Sequence, residues 1–369
     1  MTTTPGPAQS PSGPGASAGA LRRAAQRLSS AYFAMVMATG IVSIAAHQLG
    51  MTGTADALFW LNIVAYLVIW LLTALRAAWF PWDLWRDLTD HQRGPGFFTS
   101  VAASAVLGSQ FVVLSQSYGV AKFLWLLALA LWVALTYTVL TAFTIKEHKP
   151  RLDEGISGAW LLAVVATQSI AVLSAHLATH WEPHRLALNF LALSMWLWGG
   201  MLYIWMIALI FYRYTFFSFA PSDLSPPYWI SMGAMAISTL AGSLLIVNSP
   251  DAPFLASLAP FLKGFTVFYW ATGTWWIPML LVLAIWRYGY ARFPLRYDPL
   301  YWGAVFPLGM YAACTFEMAR AMNLEFLYAV PRYLTYVALL AWAIALAGLV
   351  GSLARAASAT DRSPAAEDA

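Results

Sequence analysis

The chain has 369 residues, of which 60% are hydrophobic and only 10% are charged, and its mean hydropathy is +0.65. A soluble domain carries about a quarter charged residues, so this composition excludes a water-soluble protein and indicates an integral membrane protein. The net charge is +4, but the basic residues lie at the borders of apolar segments rather than in one dense patch, which argues against a nucleic-acid-binding protein. The single cysteine, Cys314, excludes an intramolecular disulfide and a metal site built on paired cysteines.

The two ends of the chain differ in composition from its middle. Residues 1–28 begin with an uncharged stretch rich in Pro, Gly and Ser and end in a basic juxtamembrane segment, so we expect a disordered tail. The basic segment and the apolar run after it could form a secretory signal, but the run is long and lacks a clean cleavage site, which favours a retained helix. Residues 29–355 are predicted to form a transmembrane transport domain, and residues 356–369 a short flexible tail.

Between these tails, ten apolar stretches are long enough to cross about 30 Å of hydrocarbon as helices. With the N-terminus inside, 15 of the 20 lysines and arginines fall on the inner side and 5 on the outer side. This asymmetry predicts a plasma-membrane (inner-membrane) protein with both termini in the cytoplasm. The predicted spans are residues 32–49, 58–80, 97–116, 120–145, 156–180, 185–212, 228–247, 260–287, 301–320 and 326–353.

A repeat runs through the chain at intervals of 62 to 73 residues. An aromatic residue opens the first helix of each pair, and a small residue follows seven positions later. This pattern predicts five similar helices around an axis that can be a pore, with their bulky partners facing lipid. Tight helix packing is the alternative explanation of the small residues. The aromatic openings are Phe33, Phe98, Trp160, Trp229 and Trp302, and the small positions are Gly40, Ala105, Thr167, Ala236 and Gly309.

Three segments carry a resemblance to a known family: FAMVMATGIVSIA at 33–45, FFTSVAASAVLGSQF at 97–111 and VFPLGMY at 305–311. They resemble the tellurite-resistance/dicarboxylate transporter family, which includes fungal malate and sulfite transporters and the slow anion channels of plant guard cells. The resemblance covers residues 30–355. It implies an all-α membrane protein of ten transmembrane helices, arranged as five helical hairpins with quasi-five-fold symmetry around a central pore. It also implies a homotrimer in which each protomer has its own pore.

The resemblance further implies a gate formed by Phe306, which is followed by Pro307. Among the five residues four positions after the aromatic openings, only Phe306 is aromatic, so a single ring could block a pore lined otherwise by smaller side chains. Pro307 removes a backbone donor and tends to kink its helix. A core phenylalanine beside an ordinary proline kink is the alternative. The predicted pore-lining residues are Met37, Thr39, Gly40, Ala102, Ala105, Val164, Thr167, Gly233, Ala236 and Gly309.

Ionisable side chains are nearly absent from the middle of the predicted spans. His47 and His176 lie near helix ends, and Glu317 and Arg320 are three positions apart, so they can form a local ion pair. The other hypothesis is that Arg320, together with Arg332, attracts anions to the outer mouth. Neutral donors in the inner helices would then bind anions weakly, which favours passage. These donors are Thr39, Ser43, Ser104, Ser109, Gln110, Thr167, Gln168, Ser238 and Thr239.

The sequence therefore predicts an anion channel or transporter without a cofactor or a bound metal, and not an enzyme. No hydrolase, nucleotide-binding or metalloprotease motif is present, and no base accompanies the plentiful serines and threonines. The expected partners are the lipid bilayer and small anions such as C4-dicarboxylates, sulfite, tellurite or halides. The alternative is a proton-coupled transporter of C4-dicarboxylates or sulfite that uses His47, His176 or Glu317. A membrane scaffold or sensor is disfavoured because no sizeable soluble domain is apparent.

Overall fold

The computed structural model describes residues 14–361, which form helices and connecting segments without a β-strand. Ten of these helices have at least 16 residues. We number them α1 to α10 and name the shorter helices by their residues. Each long helix corresponds to one predicted apolar stretch, with boundaries shifted by at most eight residues. They are α1 Phe33–Gln48, α2 Thr52–Trp79, α3 Phe98–Val113, α4 Tyr118–Ile145, α5 Leu162–Ala178, α6 Arg185–Phe216, α7 Ile230–Asn248, α8 Ala259–Ala284, α9 Trp302–Met322 and α10 Ala329–Asp361.

Helices extend into both ends of the chain for which tails are predicted. A helix at Pro14–Gln26 replaces part of the disordered tail predicted for residues 1–28. Its alanine-rich sequence favours a helix, Ala25 is buried, and the Arg22 guanidinium lies 5.6 Å from the ring centroid of Phe80. At the other end, α10 continues to Asp361, beyond the predicted start of the flexible tail. The rest of both predicted tails, residues 1–13 and 362–369, lies outside the described part of the chain.

The length and apolar character of the helices identify a membrane protein. Within residues 14–361, nine helices are long and apolar enough to cross a membrane. The remaining long helix, α9, has 21 residues but is not among the nine. Glu317, Arg320 and several small or aromatic residues lower its apolar content. The prediction of ten spans therefore depends on α9.

The long helices form two sets that differ sharply in exposure. The inner helices, α1, α3, α5, α7 and α9, are mostly buried, and in α5 and α7 the buried share of the most apolar segment reaches 94%. The outer helices are the even-numbered ones, and for α10 the corresponding share is only 11%. Each inner helix packs against the next inner helix, and α9 packs against α1, so the five close into a ring. Because apolar side chains cover the outer set, those helices suit contact with lipid.

Hydrogen bonds join each outer helix to the inner helix that follows it around the ring. Aromatic side chains supply one partner of each bond, and a hydroxyl or carbonyl oxygen on the inner helix supplies the other. Buried polar groups require such partners in an apolar environment, so the bonds also fix how each inner helix is rotated. The pairs are Tyr66 with Ser104 at 2.8 Å, Trp132 with Thr167 at 2.8 Å, Trp196 with the carbonyl of Ser238 at 2.8 Å, Trp270 with Thr315 at 3.0 Å and Trp342 with Thr39 at 2.9 Å.

Candidate functional site

One end of the helix ring surrounds a cavity of about 480 Å³, which we call the N-terminal cavity. Every inner helix is preceded by a short 3-10 turn, and the cavity lies where these turns converge. The free N–H groups and the macrodipole of each helix give this end a partial positive charge, which favours anions. The inner-helix residues and turns that line it include Ser30, Ala34, Gly96, Thr99, Ala159, Leu162, Pro227, Ile230, Pro299 and Gly303.

An ion-pair network forms part of the wall of the N-terminal cavity. Arg76, at the end of α2, is only 6% exposed, and it donates to Asp87 at 2.6 Å and to the backbone carbonyl of Leu28 at 2.6 Å. Arg93 donates to the other oxygen of Asp87 at 2.8 Å. Burial raises the pKa of Asp87, but the hydrogen bonds and charges of Arg76 and Arg93 outweigh this effect and lower the pKa below its ordinary value. Two arginines thus share one carboxylate and leave the wall net positive.

The same five helices surround a second, smaller cavity of about 50 Å³ nearer their C-terminal ends, which we call the C-terminal cavity. In α1, α3 and α5 the lining residues follow the spacing i, i+3, i+7, which selects one face of a helix. The lining is mostly apolar, with a few hydroxyl, amide and ionisable groups. It consists of Ile41, Ile44, Gln48, Val106, Ser109, Val113, Ser169, Val172, His176, Ile237, Leu240, Met310 and Glu317.

Phe306 lies between the two cavities. Gly303 lines the N-terminal cavity and Met310 lines the C-terminal cavity, so residue 306 is one turn from each on the same helix. Phe306 is 0% exposed and lines neither cavity. The cavities share no lining residue, and Met37 of α1, likewise 0% exposed, occupies the same level. A layer of packed side chains therefore separates the two cavities.

Three glycines predicted to line a pore face neighbouring helices instead. A Cβ on Gly40 would lie 2.6 Å from Val106 Cγ1, and a Cβ on Gly309 would lie 2.9 Å from Val42 Cγ2. A Cβ on Gly233 would lie 2.7 Å from Pro307 Cγ. These positions are small because the helices approach closely there. In the structure these glycines serve close helix contact and line neither cavity, so their place at a pore stays a prediction.

The two predicted threonines face outer helices in the structure. The hydroxyls of Thr39 and Thr167 accept hydrogen bonds from tryptophans of outer helices, so they point away from the ring axis. Ser109, one of the predicted donors, does line the C-terminal cavity, and so does Ser169, which the sequence analysis missed. Ser169 is seven residues, or about two turns, before His176 along the lining face, and this shared face was the signal that could have revealed it.

In α5, the predicted register is shifted by one residue. Its lining residues, Leu162 and Ser169, imply that Leu161 rather than Trp160 matches the aromatic openings of the other inner helices. Trp160 lies in the preceding 3-10 turn, where its indole N–H donates to the carbonyls of His91 and Gly155, both at 3.0 Å. The predicted lining residue Val164 is therefore displaced from the register of the other four helices. The remaining predictions, Ala102, Ala105 and Ala236, are buried residues that line neither cavity.

Among the residues that line the C-terminal cavity, Glu317 is the one with a carboxylate. Glu317 pairs with Arg320 at 2.6 Å, as its spacing allows, and accepts a hydrogen bond from Gln48 at 3.0 Å. The second bond connects α1 to α9, the two helices that close the ring. The Arg320 side chain is 53% exposed. Arg332 is exposed near the start of α10. Neither Arg332 nor His47 lines either cavity.

Comparison with known proteins supports the resemblance seen in the sequence. The family described as voltage-dependent anion channel matches residues 27–350, which confirms the family expected from the three motifs. An uncharacterised membrane protein of Mycobacterium tuberculosis is 36% identical over 162 residues, which are 44% of this chain and 82% of the relative. An uncharacterised transporter of Methanocaldococcus jannaschii is 26% identical over 306 residues, covering 80% of this chain and 86% of the relative. A sulfite efflux pump of Trichophyton rubrum is 23% identical over 340 residues, covering 86% of this chain and 88% of the relative.

Proposed function

Because the chain belongs to the voltage-dependent anion channel family, we propose that it carries small anions across the membrane through the ring of inner helices. In this proposal all ten long helices span the membrane as five hairpins with quasi-five-fold symmetry. The observation that carries the proposal is the pair of cavities at opposite ends of one ring, separated by the buried ring of Phe306. Phe306 is the gate, and Pro307 weakens the local helix so that the ring can move aside.

The proposed path binds anions weakly along most of its length. Its entrance has the positive ends of five helices and the Arg76 wall, whereas the C-terminal cavity offers mainly apolar side chains and the hydroxyls of Ser109 and Ser169. An anion would be attracted at the entrance and would lose part of its hydration at Phe306. Weak binding along the path permits exit as well as entry. Because one relative is named a sulfite efflux pump, sulfite is the first anion to test, followed by C4-dicarboxylates, tellurite and halides.

The test is anion flux in proteoliposomes with the variant Phe306→Ala. We expect a higher flux because removal of the ring joins the two cavities. Phe316→Ala is a matched control, since Phe316 lies on the same helix but packs against Tyr328 of the segment that leads into α10, with ring centroids 5.5 Å apart. Unchanged flux in a folded Phe306→Ala protein would reject the gate. An equal increase in both variants would show general loosening of α9 rather than opening of a gate.

A second candidate function is proton-coupled transport of sulfite or C4-dicarboxylates. It is favoured by one observation, that His176 and Glu317 both line the C-terminal cavity on the proposed anion path. Proton coupling predicts that an imposed pH gradient drives anion accumulation against its own gradient, and that His176→Gln abolishes this accumulation. A channel predicts flux that follows voltage alone, with or without a pH gradient. The same vesicles can distinguish the two outcomes.

We also propose a homotrimer in the plasma membrane with both termini in the cytoplasm. The excess of lysine and arginine on the side where α1 begins supports this orientation. In this orientation the N-terminal cavity opens to the cytoplasm. Modification of a cysteine introduced at Gly53, at the start of α2, by a membrane-impermeant reagent in intact cells tests the orientation, because a Cβ there meets nothing within 4 Å. Native mass spectrometry tests the trimer.

A further inference from the structure

Three outer helices end in a buried arginine, and one of these arginines has no acidic partner in the part of the chain that the structure describes. Arg76, Arg213 and Arg287 are 6%, 8% and 7% exposed. Arg76 pairs with Asp87 at 2.6 Å, and Arg213 lies 3.8 Å from Asp223. The Arg287 side chain makes no hydrogen bond or ion pair with any residue from 14 to 361, and its Nε is buried without an acceptor. A buried charge without a partner is costly, so this site calls for an anion.

The surroundings of Arg287 hold it in place beside a cavity. It lies in a π-helical segment, Ile285–Tyr290, that continues α8, and such segments often mark functional sites. Its guanidinium lies 4.2 Å from the ring centroid of Phe293, which fixes the side chain without satisfying its donors. The adjacent cavity has a volume of about 220 Å³ and is also lined by Ser225 and by Tyr301. These residues add hydroxyl groups to the positive charge of Arg287.

A second cavity of about 360 Å³ adjoins the first and is almost entirely apolar. The two cavities share Tyr301, Ala304 and Leu308, so they lie side by side along α9, and together we call them the groove. The apolar part runs between α9 and α10, where Ala341 forms part of its wall. Arg296, which is exposed, lies at its margin. The groove is separate from the two cavities on the ring axis.

We propose that this groove binds one anionic phospholipid, with its phosphate on Arg287 and an acyl chain in the apolar part. The charge of Arg287 matches a phosphate diester, and the apolar wall of α9 and α10 matches a hydrocarbon chain. The groove lies where α8 ends and α9 begins, on the side where the basic residues concentrate. Anionic lipids are enriched in the leaflet that contacts this side of a membrane protein in the proposed orientation. A soluble anion would not use the apolar part.

The test is lipid retention measured by native mass spectrometry after delipidated protein is mixed with equal amounts of phosphatidylglycerol and phosphatidylcholine. We expect one retained phosphatidylglycerol per chain and about a tenfold loss of this species in Arg287→Gln, because a charge-assisted hydrogen bond is lost. Arg292→Gln is the matched control. It removes the same charge five residues further along the chain, just after the π-helical segment, but Arg292 is exposed and lines neither cavity of the groove.

A second pair of variants tests the acyl chain. Ala341→Phe should fill the apolar part and prevent retention, whereas Ala343→Phe, on an exposed position of the same helix, should not. Equal retention by the wild type and Arg287→Gln would overturn the proposal, and so would equal losses in Arg287→Gln and Arg292→Gln. Stabilisation by soluble glycerol phosphate that Ala341→Phe leaves unchanged would indicate a soluble-anion site and also overturn it. None of these measurements depends on anion flux, so the result is independent of the proposed transport function.

Discussion

At Gly158, the addition of a single methyl group should disturb the turns that surround the N-terminal cavity. Gly158 begins the 3-10 turn before α5, and this turn packs directly against the equivalent turn before α7. A Cβ at Gly158 would lie 2.5 Å from the carbonyl oxygen of Pro227 and 2.6 Å from the Cα of Tyr228. All of these neighbours are backbone atoms, so no side-chain rotation can relieve the contact. The variant Gly158→Ala must therefore move one turn away from the other.

The size of this movement follows from the contact distance. An ordinary contact begins at 3.4 Å, so a distance of 2.5 Å requires a separation of 0.9 Å. Overpacking of this kind costs about 1–3 kcal/mol, and a contact with rigid backbone favours the upper part of that range. Both turns contribute to the N-terminal cavity through Ala159, Leu162 and Pro227. The same displacement should thus alter the proposed anion entrance as well as the stability.

Thermal unfolding in detergent, followed by tryptophan fluorescence, measures the first effect, and anion flux in proteoliposomes measures the second. We expect Gly158→Ala to lower the Tm by several degrees and to change flux at fixed protein content. Gly264→Ala is the control, because a Cβ there meets nothing within 4 Å and alanine favours a helix by up to about 1 kcal/mol. A Tm of Gly158→Ala equal to that of the wild type would refute the packing argument. Equal losses of Tm in both variants would show that glycine flexibility, rather than space, matters.

Three further predictions concern charges and hydrogen bonds. Because the pKa of Asp87 is lowered in the folded protein, its ion pairs stabilise the fold fully above the ordinary carboxyl pKa of about 3.9. This stability is lost as the pH falls through the lowered pKa. The variant Asp87→Asn should therefore start from a lower Tm at neutral pH, and its Tm should fall less in acid than that of the wild type. Trp132→Phe leaves the hydroxyl of Thr167 without its 2.8 Å donor and should cost about 0.5–1.5 kcal/mol, measured by the Tm. Arg320 pairs with Glu317, which lines the C-terminal cavity, so Arg320→Ala should reduce flux more at low than at high salt; equal reductions at both would reject a role of its charge at the outer mouth.

Much of the fold was predictable because membrane helices leave a strong signal in sequence. Each long helix coincides with an apolar stretch, and the bulky composition of the even-numbered helices matches their exposure in the structure. The helix at Pro14–Gln26 was missed because its stretch is rich in Gly, Ser and Pro at its start. Its alanines and the burial of Ala25 outweigh that composition. Sequence predicts a helix well where a long apolar stretch requires it, and poorly where packing against the rest of the protein determines whether the helix forms.

The candidate site was less predictable because a sequence repeat does not show how each helix is rotated. A step of one residue turns a helix by about 100°, so the choice of Trp160 instead of Leu161 displaced every predicted position in α5. The small residues Gly40 and Gly309 were expected at an axis, but small residues also serve close helix contacts, and there the structure places them. Arg287 was not singled out at all. Its significance depends on the absence of an acidic neighbour among residues 14–361, which only the three-dimensional arrangement reveals.

The hydrogen bonds between outer and inner helices explain why the proposed path is so apolar. The hydroxyls of Thr39, Thr167 and Thr315 accept hydrogen bonds from tryptophans of outer helices, so the lining of the C-terminal cavity is left mainly with valine, leucine and isoleucine, beside a few polar groups such as Ser109 and Ser169. These hydroxyl groups hold the outer and inner helices together, because lipid offers them no other hydrogen-bond partner. Charged groups remain at the two ends, where Arg76 and Arg320 contact water-accessible cavities or surface. An anion that crosses such a ring meets attraction at its ends and a dehydration barrier in its middle, so removal of the Phe306 side chain should lower the barrier without raising affinity. Flux in Phe306→Ala should then rise without saturating at a lower anion concentration.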